Sequence, residues 1–115
     1  MHEAGITRTI IDTAVEAVEE EGGTRINQID VTVGELTDFV DDALQFAFEA
    51  MKADTIASDA VLVISRLPAR SRCVMPECTT EFEHGRFDIE CPKCGNPFNE
   101  LVQGRELRID RIDFD

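Results

Sequence analysis

Apolar residues recur at helical spacing in two separate stretches of the chain. The first runs from residue 6 to about residue 20, where Gly22-Gly23 follows as a stop signal. The second is predicted to begin after Thr37-Asp38, with Asp41 and Asp42 near its positive end. Both stretches predict amphipathic helices that bury one stripe. The apolar positions are Ile6, Ile10, Ile11, Ala14, Val15 and Val18 in the first, and Val40, Leu44, Ala47, Phe48 and Met51 in the second.

Three other stretches have strand patterns. Within residues 26–33, Ile29, Val31 and Val33 alternate with Asp30 and Thr32, which predicts a strand with one buried face. Residues 60–67 carry apolar side chains on both faces from Val61 to Ile64, which predicts a more fully buried strand. Residues 106–114 supply the third strand. The pattern therefore predicts an α+β fold in which two helices pack against a three-stranded sheet.

Residues 69–104 differ in character from the rest of the chain. They contain all four cysteines, three of the four prolines and little continuous apolar sequence. Such a segment cannot bury enough apolar surface to fold unaided. We predict a small zinc-ribbon-like domain at 69–104, inserted into an α/β domain that spans 1–68 and is completed by a strand at 105–115.

The cysteines occur as Cys73-x4-Cys78 and Cys91-x2-Cys94. A two-residue gap directs both thiolates to one metal, and Gly95 permits the tight turn beneath them. Two such pairs predict a closed tetrahedral thiolate site of the kind that holds structural Zn²⁺. A rubredoxin-like iron site, two disulfides or free thiols are the alternatives, and disulfides are disfavoured in a cytosolic chain. A closed site has no open coordination position, so the metal is expected to hold structure and to perform no catalysis.

The N-terminus offers a second set of candidate ligands. The amine of Met1, the backbone amide of His2 and its imidazole form fused chelate rings that favour square-planar Ni(II) or Cu(II). The amide or carboxylate of Glu3, or a group from a partner, can take the remaining position. A Met-His start taken alone is a weak signal. The other histidine, His84, is expected to be solvated on a surface loop.

The charge distribution argues against several classes of partner. The chain has 24 acidic and 11 basic residues, a net charge of −13, which repels phosphate backbones. The one dense basic cluster, Arg66, Arg70 and Arg72, is expected to flank a hinge between the sheet and the cysteine segment. No apolar run is long enough for a bilayer, and no secretory signal is present, so we expect a cytoplasmic protein with no nucleic-acid or membrane partner.

Together these features resemble the HypA/HybF family, the nickel-incorporation proteins for hydrogenase maturation. The resemblance covers essentially the whole chain. One departure is the four-residue gap between Cys73 and Cys78, where the family usually has two residues. The matching segments are Met1-His2-Glu3, the first helix, Val33-Gly34-Glu35, residues 43–49, the cysteine pairs and the strand around Leu107-Arg108-Ile109.

The resemblance implies a nickel metallochaperone with no covalent chemistry of its own. It implies a Ni(II) site formed by Met1, His2 and Glu3, a separate structural zinc site, and a HypB-type GTPase as partner. The cargo would go to the large subunit of a [NiFe]-hydrogenase, and in some organisms such proteins also serve urease maturation. The alternative is a zinc-ribbon protein-interaction module without a nickel role. An enzyme is disfavoured, because no nucleophile–base pairing or phosphate-cradling glycine loop is present.

Overall fold

The computed structural model describes residues 2–115, without the side chain of His2. Two helices and six strands occur in this part of the chain. In chain order they are α1 (His2–Glu20), β1 (Ile26–Gly34), α2 (Asp41–Met51), β2 (Val61–Leu67), β3 (Ala69–Cys73), β4 (Glu81–His84), β5 (Asn99–Gln103) and β6 (Leu107–Phe114). One sheet has the strand order β2-β1-β6, and the other has the order β4-β3-β5. The predicted helices and three-stranded sheet are confirmed.

The chain divides into two compact units. The first comprises residues 1–32, 39–65 and 108–115, and the second comprises 33–38 and 66–107. This geometric division differs from the predicted domains (1–68 with 105–115, and 69–104) mainly in placing residues 33–38 in the second unit. The assignment of nickel to one domain and zinc to the other stays a prediction.

The core of the first unit lies between the two helices and one face of the sheet. Helix α1 ends as predicted, because Gly22 N–H and Gly23 N–H donate to the carbonyls of Glu19 and Val18. The apolar stripe of each helix points at the sheet, since helical spacing places those side chains on one side. The buried residues are Ile10, Ile11, Ala14 and Val18 from α1, Leu44 and Phe48 from α2, and Ile26, Ile29, Val31 and Leu62 from the strands.

Helix α2 begins later than the sequence predicted. Its first residue is Asp41 and its N-cap is Val40, whose side chain makes no cap hydrogen bond. The prediction that Val40 belongs to the buried face is therefore wrong, and its side chain is exposed. The acidic residues Asp41 and Asp42 do lie in the first turn, where they interact favourably with the helix dipole.

Strand β2 is less buried than the sequence predicted. Val61 is 56% exposed and Val63 is also exposed, while Leu62 is buried. The strand occupies an edge of its sheet. The apolar run at 61–64 therefore does not mark a strand buried on both faces.

The second unit contains a small sheet that the sequence pattern did not predict. Strand β3 pairs antiparallel with β4 and with β5, and the register to β5 shifts between Arg70 and Ser71. These strands have four or five residues each. Burial alternates along β3, but its inward residues are Ala69, Ser71 and Cys73, which are not the β-branched and aromatic residues on which sequence-based strand prediction depends. Within the described residues, neither helix combines the length and apolar composition that crossing a bilayer requires.

Candidate metal centre

The four cysteines of the second unit come together in space. Their sulfur atoms all lie within 4.8 Å of one another, with 3.5 Å between the sulfurs of Cys73 and Cys94 and 3.6 Å between those of Cys78 and Cys91. A disulfide would require about 2.05 Å, and all four cysteines are free. Four thiolates at about 2.3 Å from a tetrahedral Zn²⁺ are spaced by about 3.8 Å, so the cluster fits such an ion.

The first pair of cysteines is held by strand β3 and the turn that follows it. Cys73 is the last residue of β3, and its N–H donates to the Thr80 carbonyl (2.8 Å). The N–H groups of Cys78 and Thr79 both donate to the carbonyl of Met75 (2.9 and 3.1 Å). The two additional residues are thus accommodated in a hydrogen-bonded turn in which Thr79 has φ +50°, and both thiols still face one centre.

The second pair sits on a tighter turn. Gly95 N–H donates to the Cys91 carbonyl (2.8 Å), and Cys91 N–H donates to the Asn96 carbonyl (3.0 Å). Gly95 has φ +79°, a conformation that side chains disfavour, which explains the glycine after Cys94. Cys91 is buried, whereas Cys94 is exposed, so one side of the cluster is open to solvent.

Two neighbours that sequence reasoning missed complete the cluster. The buried ring of Phe82, on β4, packs with Cys73 and Cys91, and Cys78 packs against the same group. The hydroxyl of Thr80 lies 3.3 Å from the sulfur of Cys78. Phe82 excludes water from beneath the sulfurs, and Thr80 supplies a donor to one of them. A threonine two residues after a candidate ligand is the only sequence signal for this contact.

The pKa values of two thiols shift in opposite directions. Hydrogen bonds from the hydroxyl and N–H of Thr80 lower the pKa of Cys78 to about 6. The N–H of Asn96 lowers the pKa of Cys94, but the neighbouring thiol of Cys73, together with burial, raises it to about 12. The thiolate is the form that binds metal, so Cys78 is the readier ligand of these two. Binding a cation at the cluster would release the remaining protons.

The predicted nickel ligands are only partly described by the structure. Met1 and the side chain of His2 lie outside the described residues. Glu3 stands in the first turn of α1, and its Oε2 accepts a hydrogen bond from Val40 N–H (3.1 Å). Its own N–H and the N–H of Val40 lower the pKa of its carboxyl group. The carboxylate thus accepts the N–H of the N-cap residue, as the glutamate of a capping box does, but it does not replace the acceptor that a polar N-cap side chain offers to the following N–H groups.

The prediction for His84 needs correction, whereas the expectation that Arg66, Arg70 and Arg72 flank a hinge stays a prediction. His84 is partly buried on β4, with Nε2 2.7 Å from Ser71 Oγ and Nδ1 2.7 Å from the Gly85 carbonyl, so it is not a solvated loop residue. Arg72 contacts both Glu81 and Glu100 at 3.1 Å. Arg70 lies 3.5 Å from Glu81, and the two arginines lower the pKa of that glutamate. Arg70 and Arg72 are therefore neutralised by carboxylates of the neighbouring strands, an arrangement that the linear sequence does not reveal.

Comparison with known proteins yields a family match over nearly the whole chain. A family model described as "Hydrogenase/urease nickel incorporation, metallochaperone, hypA" matches residues 1–114. A protein of Dehalococcoides mccartyi named hydrogenase maturation factor HypA is 36% identical over 115 residues, which is 100% of this chain and 95% of the relative. One of the same name from Geobacter metallireducens is 36% identical over 116 residues, with both chains fully covered.

Two solved structures share the fold. The solution structure of the Ni metallochaperone HypA from Helicobacter pylori aligns with a TM-score of 0.69 at 21% identity, over 97% of this chain and 96% of that one. A second solution structure, described as HypA protein, aligns with a TM-score of 0.73 at 23% identity, over 99% and 96% of the two chains. At these identities the likeness concerns the fold.

Proposed function

This chain belongs to the HypA family of hydrogenase and urease nickel-incorporation metallochaperones, and from that premise we propose that it binds Ni(II) at its N-terminus and delivers the ion during maturation of a [NiFe]-hydrogenase. The observation that carries the proposal is the match over residues 1–114, which includes the Met1-His2-Glu3 start. The named relatives are maturation factors, so the chain is proposed to carry metal and to catalyse no reaction of its own.

The proposed nickel ligands are the Met1 amine, the amide and imidazole of His2, and Glu3. Helix α1 begins at His2, and the first four N–H groups of a helix have no carbonyl four residues earlier to bind. Deprotonation of the His2 amide by a bound metal therefore breaks no intrahelical hydrogen bond. Nitrogen ligands of this type suit Ni(II), and affinity is expected to rise with pH because protons compete for the same atoms.

Cys73, Cys78, Cys91 and Cys94 are proposed to hold one structural Zn²⁺. The supporting observation is the mutual distance of at most 4.8 Å between their sulfur atoms. A bound Zn²⁺ would join the two cysteine pairs through its four bonds to sulfur. Much of its binding free energy is then folding free energy for residues 69–104, whose small apolar cluster is centred on Phe82.

The proposed partners are a HypB-type GTPase and the hydrogenase large subunit, with urease maturation proteins as further recipients, in the cytoplasm. No nucleic-acid or membrane partner is proposed. The excess of acidic over basic residues repels the phosphate groups of nucleic acids. Arg70 and Arg72, the densest basic pair, are already engaged by Glu81 and Glu100.

The proposal is tested by calorimetric titration of untagged, zinc-loaded protein with Ni(II). His2→Ala is expected to lower nickel affinity by at least about tenfold, and acetylation of the terminal amine should do the same. The matched control is His84→Gln, which changes the other histidine of the chain but keeps a side chain able to hydrogen-bond Ser71. Equal affinity and stoichiometry in His2→Ala and wild type would refute the N-terminal site.

The same experiment separates the alternative function. A zinc-ribbon interaction module without a nickel role predicts no dependence of nickel binding on His2. Metal analysis of the purified protein then tests the cysteine site independently, with one equivalent of zinc expected. If iron were found instead, the metal at the cysteines would be iron, and the proposed N-terminal nickel site would be unaffected.

A further inference from the structure

The second unit contains a cleft that neither metal site uses. Its volume is about 260 Å³, enough for one large side chain and part of a backbone. It is lined by Leu36, Ser71, His84, Gly85, Arg86, Ile89, Pro97, Asn99, Leu101 and Arg105. The walls thus combine aliphatic side chains with cationic and hydrogen-bonding groups.

The charge of this lining is opposite to that of the chain. Two arginines and a histidine line the cleft, and none of the ten lining residues is acidic, although the sequence has 24 acidic residues against 11 basic ones. Arg86 is anchored, since its guanidinium donates to the Leu36 carbonyl (3.2 Å) and lies 3.4 Å from Asp38. Arg105 forms no ion pair with any residue between 2 and 115. It therefore offers a cation that the protein itself does not neutralise.

The walls of the cleft are held in place by side-chain hydrogen bonds. Ser71 is only 5% exposed and bonds across to His84 on the neighbouring strand (2.7 Å). The imidazole is oriented in turn, because Nδ1 must donate to the Gly85 carbonyl, which can only accept (2.7 Å). The amide of Asn99 donates to the Ile89 carbonyl (2.9 Å), joining β5 to the loop that carries Ile89. A preformed site lowers the ordering cost of binding.

One hydrogen-bond acceptor within this framework is unsatisfied. The Oδ1 atom of Asn99 is buried and has no partner among the described residues, although its NH₂ group donates twice. A buried acceptor without a donor costs free energy. This oxygen is inaccessible to solvent, so a ligand in the cleft would reach it only after the Asn99 side chain rotates.

Exposed aromatic side chains adjoin the cleft along the chain. Phe87, which follows Arg86, is 88% exposed, and Phe98, which follows Pro97, is 77% exposed. Large aromatic side chains are favoured anchors in protein–protein interfaces, where they bury apolar area on association.

We propose that this cleft binds a segment of a partner protein in which a carboxylate adjoins an aliphatic side chain of leucine size. The carboxylate pairs with Arg105, and the aliphatic side chain enters between Leu36, Ile89 and Leu101. The charge complementarity selects an acidic ligand, and the aliphatic walls select a peptide over a free anion. This interaction goes beyond nickel binding and does not depend on it.

The test is an NMR titration of ¹⁵N-labelled, zinc-loaded full-length protein with the peptide acetyl-Gly-Asp-Leu-Gly-amide. Saturable shifts are expected at the amides of Ser71, Leu101 and Arg105. The Asn analogue of the peptide, which has the same shape without the charge, should bind about fivefold more weakly. Raising the salt concentration should lower the affinity for the Asp peptide and leave the affinity for the Asn peptide nearly unchanged, because salt screens the ion pair.

Matched variants locate the contact. Arg105→Gln should reduce affinity for the Asp peptide by about fivefold and remove its preference over the Asn peptide. Arg111→Gln, an exposed arginine of β6 in the first unit, should behave like wild type. Because Arg105 is exposed, its replacement leaves the fold intact, which the unchanged spectrum outside the cleft would verify.

Three outcomes would overturn the proposal. Equal affinities for the Asp and Asn peptides would show that the charge of the carboxylate does not contribute to binding. An unchanged affinity in Arg105→Gln would remove the role of this arginine. Shifts produced to the same extent by inorganic phosphate or acetate alone would show a simple anion site in place of a peptide cleft. Nickel titration of the same variants remains independent, so failure here would leave the metallochaperone proposal intact.

Discussion

The backbone of Gly34 lies directly against the carbonyl group of Gly104. A Cβ atom on Gly34 would fall 2.2 Å from the Gly104 oxygen and 2.6 Å from the nitrogen of Arg105. Hydrogen bonds hold the two segments together, since Gly34 N–H donates to the Glu106 carbonyl and Leu36 N–H to the Gly104 carbonyl, both at 2.8 Å. Glycine is required at position 34 because the obstructing atoms are backbone, which no change of rotamer can move away.

Gly34→Ala is accordingly expected to destabilise the protein by about 1–3 kcal/mol, because one of the two segments must shift. Urea unfolding followed by circular dichroism measures the loss. Gly5→Ala is the matched control: its Cβ would meet nothing within 4 Å, and alanine is the better helix former by up to about 1 kcal/mol. Equal stability of Gly34→Ala and wild type would contradict the close approach.

Glu3 is predicted to have two separable roles. Glu3→Gln removes the charge but keeps an oxygen that can accept from Val40 N–H, whereas Glu3→Ala removes both. Nickel affinity should fall in both variants if the carboxylate contributes to the site. The hydrogen-exchange rate of the Val40 amide should rise only in Glu3→Ala. The expected increase is about fivefold to tenfold, because a hydrogen bond contributes about 1 kcal/mol. Equal exchange rates in the two variants would show that the Val40 contact does not persist in solution.

Cys94→Ser is expected to reduce zinc affinity by well over about tenfold, because it removes one ligand of a four-thiolate site. Amide dispersion should be lost for residues 69–104, while α1 and α2 keep their helical signal. Lys93→Gln, an exposed position between the same two cysteines, serves as the control and should retain full zinc. Retention of stoichiometric zinc and a dispersed spectrum in Cys94→Ser would rule out the four-thiolate site.

The hydroxyl of Thr32 donates a hydrogen bond to the carboxylate of Asp110 across β1 and β6. This bond, followed by the one from Arg108, lowers the pKa of Asp110 below its usual 3.8. A carboxyl group with a lowered pKa stabilises the fold above its unfolded-state pKa, and this contribution disappears as pH falls through the folded-state value.

Thr32→Val should therefore raise the pKa of Asp110. Its stability deficit relative to wild type should be largest near neutral pH and should shrink below about pH 4. Carbon-detected NMR titration of the Asp110 carboxyl group measures the first effect, and urea unfolding at several pH values measures the second. Thr9→Val is the control, because the hydroxyl of Thr9 binds only the Gly5 carbonyl and no carboxylate. A pH-independent deficit in Thr32→Val would contradict the linkage.

Local patterns were sufficient for part of the fold. The stripe of α1 and the alternation of β1 predicted their buried faces correctly, since helix and strand periodicity is written in neighbouring residues. The apolar run from Val61 to Ile64 predicted too much burial for β2, because such a run does not distinguish a central strand from an edge strand. The pattern also gave no prediction of β3, β4 and β5, because these strands are short and contain few β-branched or aromatic residues.

The sequence by itself determined that four cysteines could share one metal and that Met1, His2 and Glu3 form a candidate nickel set, because ligand chemistry and spacing lie in short stretches of chain. Only the tertiary structure decided that Ser71 fixes His84, that Glu100 neutralises Arg72, and that Glu3 accepts the N–H of Val40 at the start of α2. These contacts join residues 13 to 37 positions apart. Partners at such distances are chosen by packing of the whole chain, which no local pattern encodes.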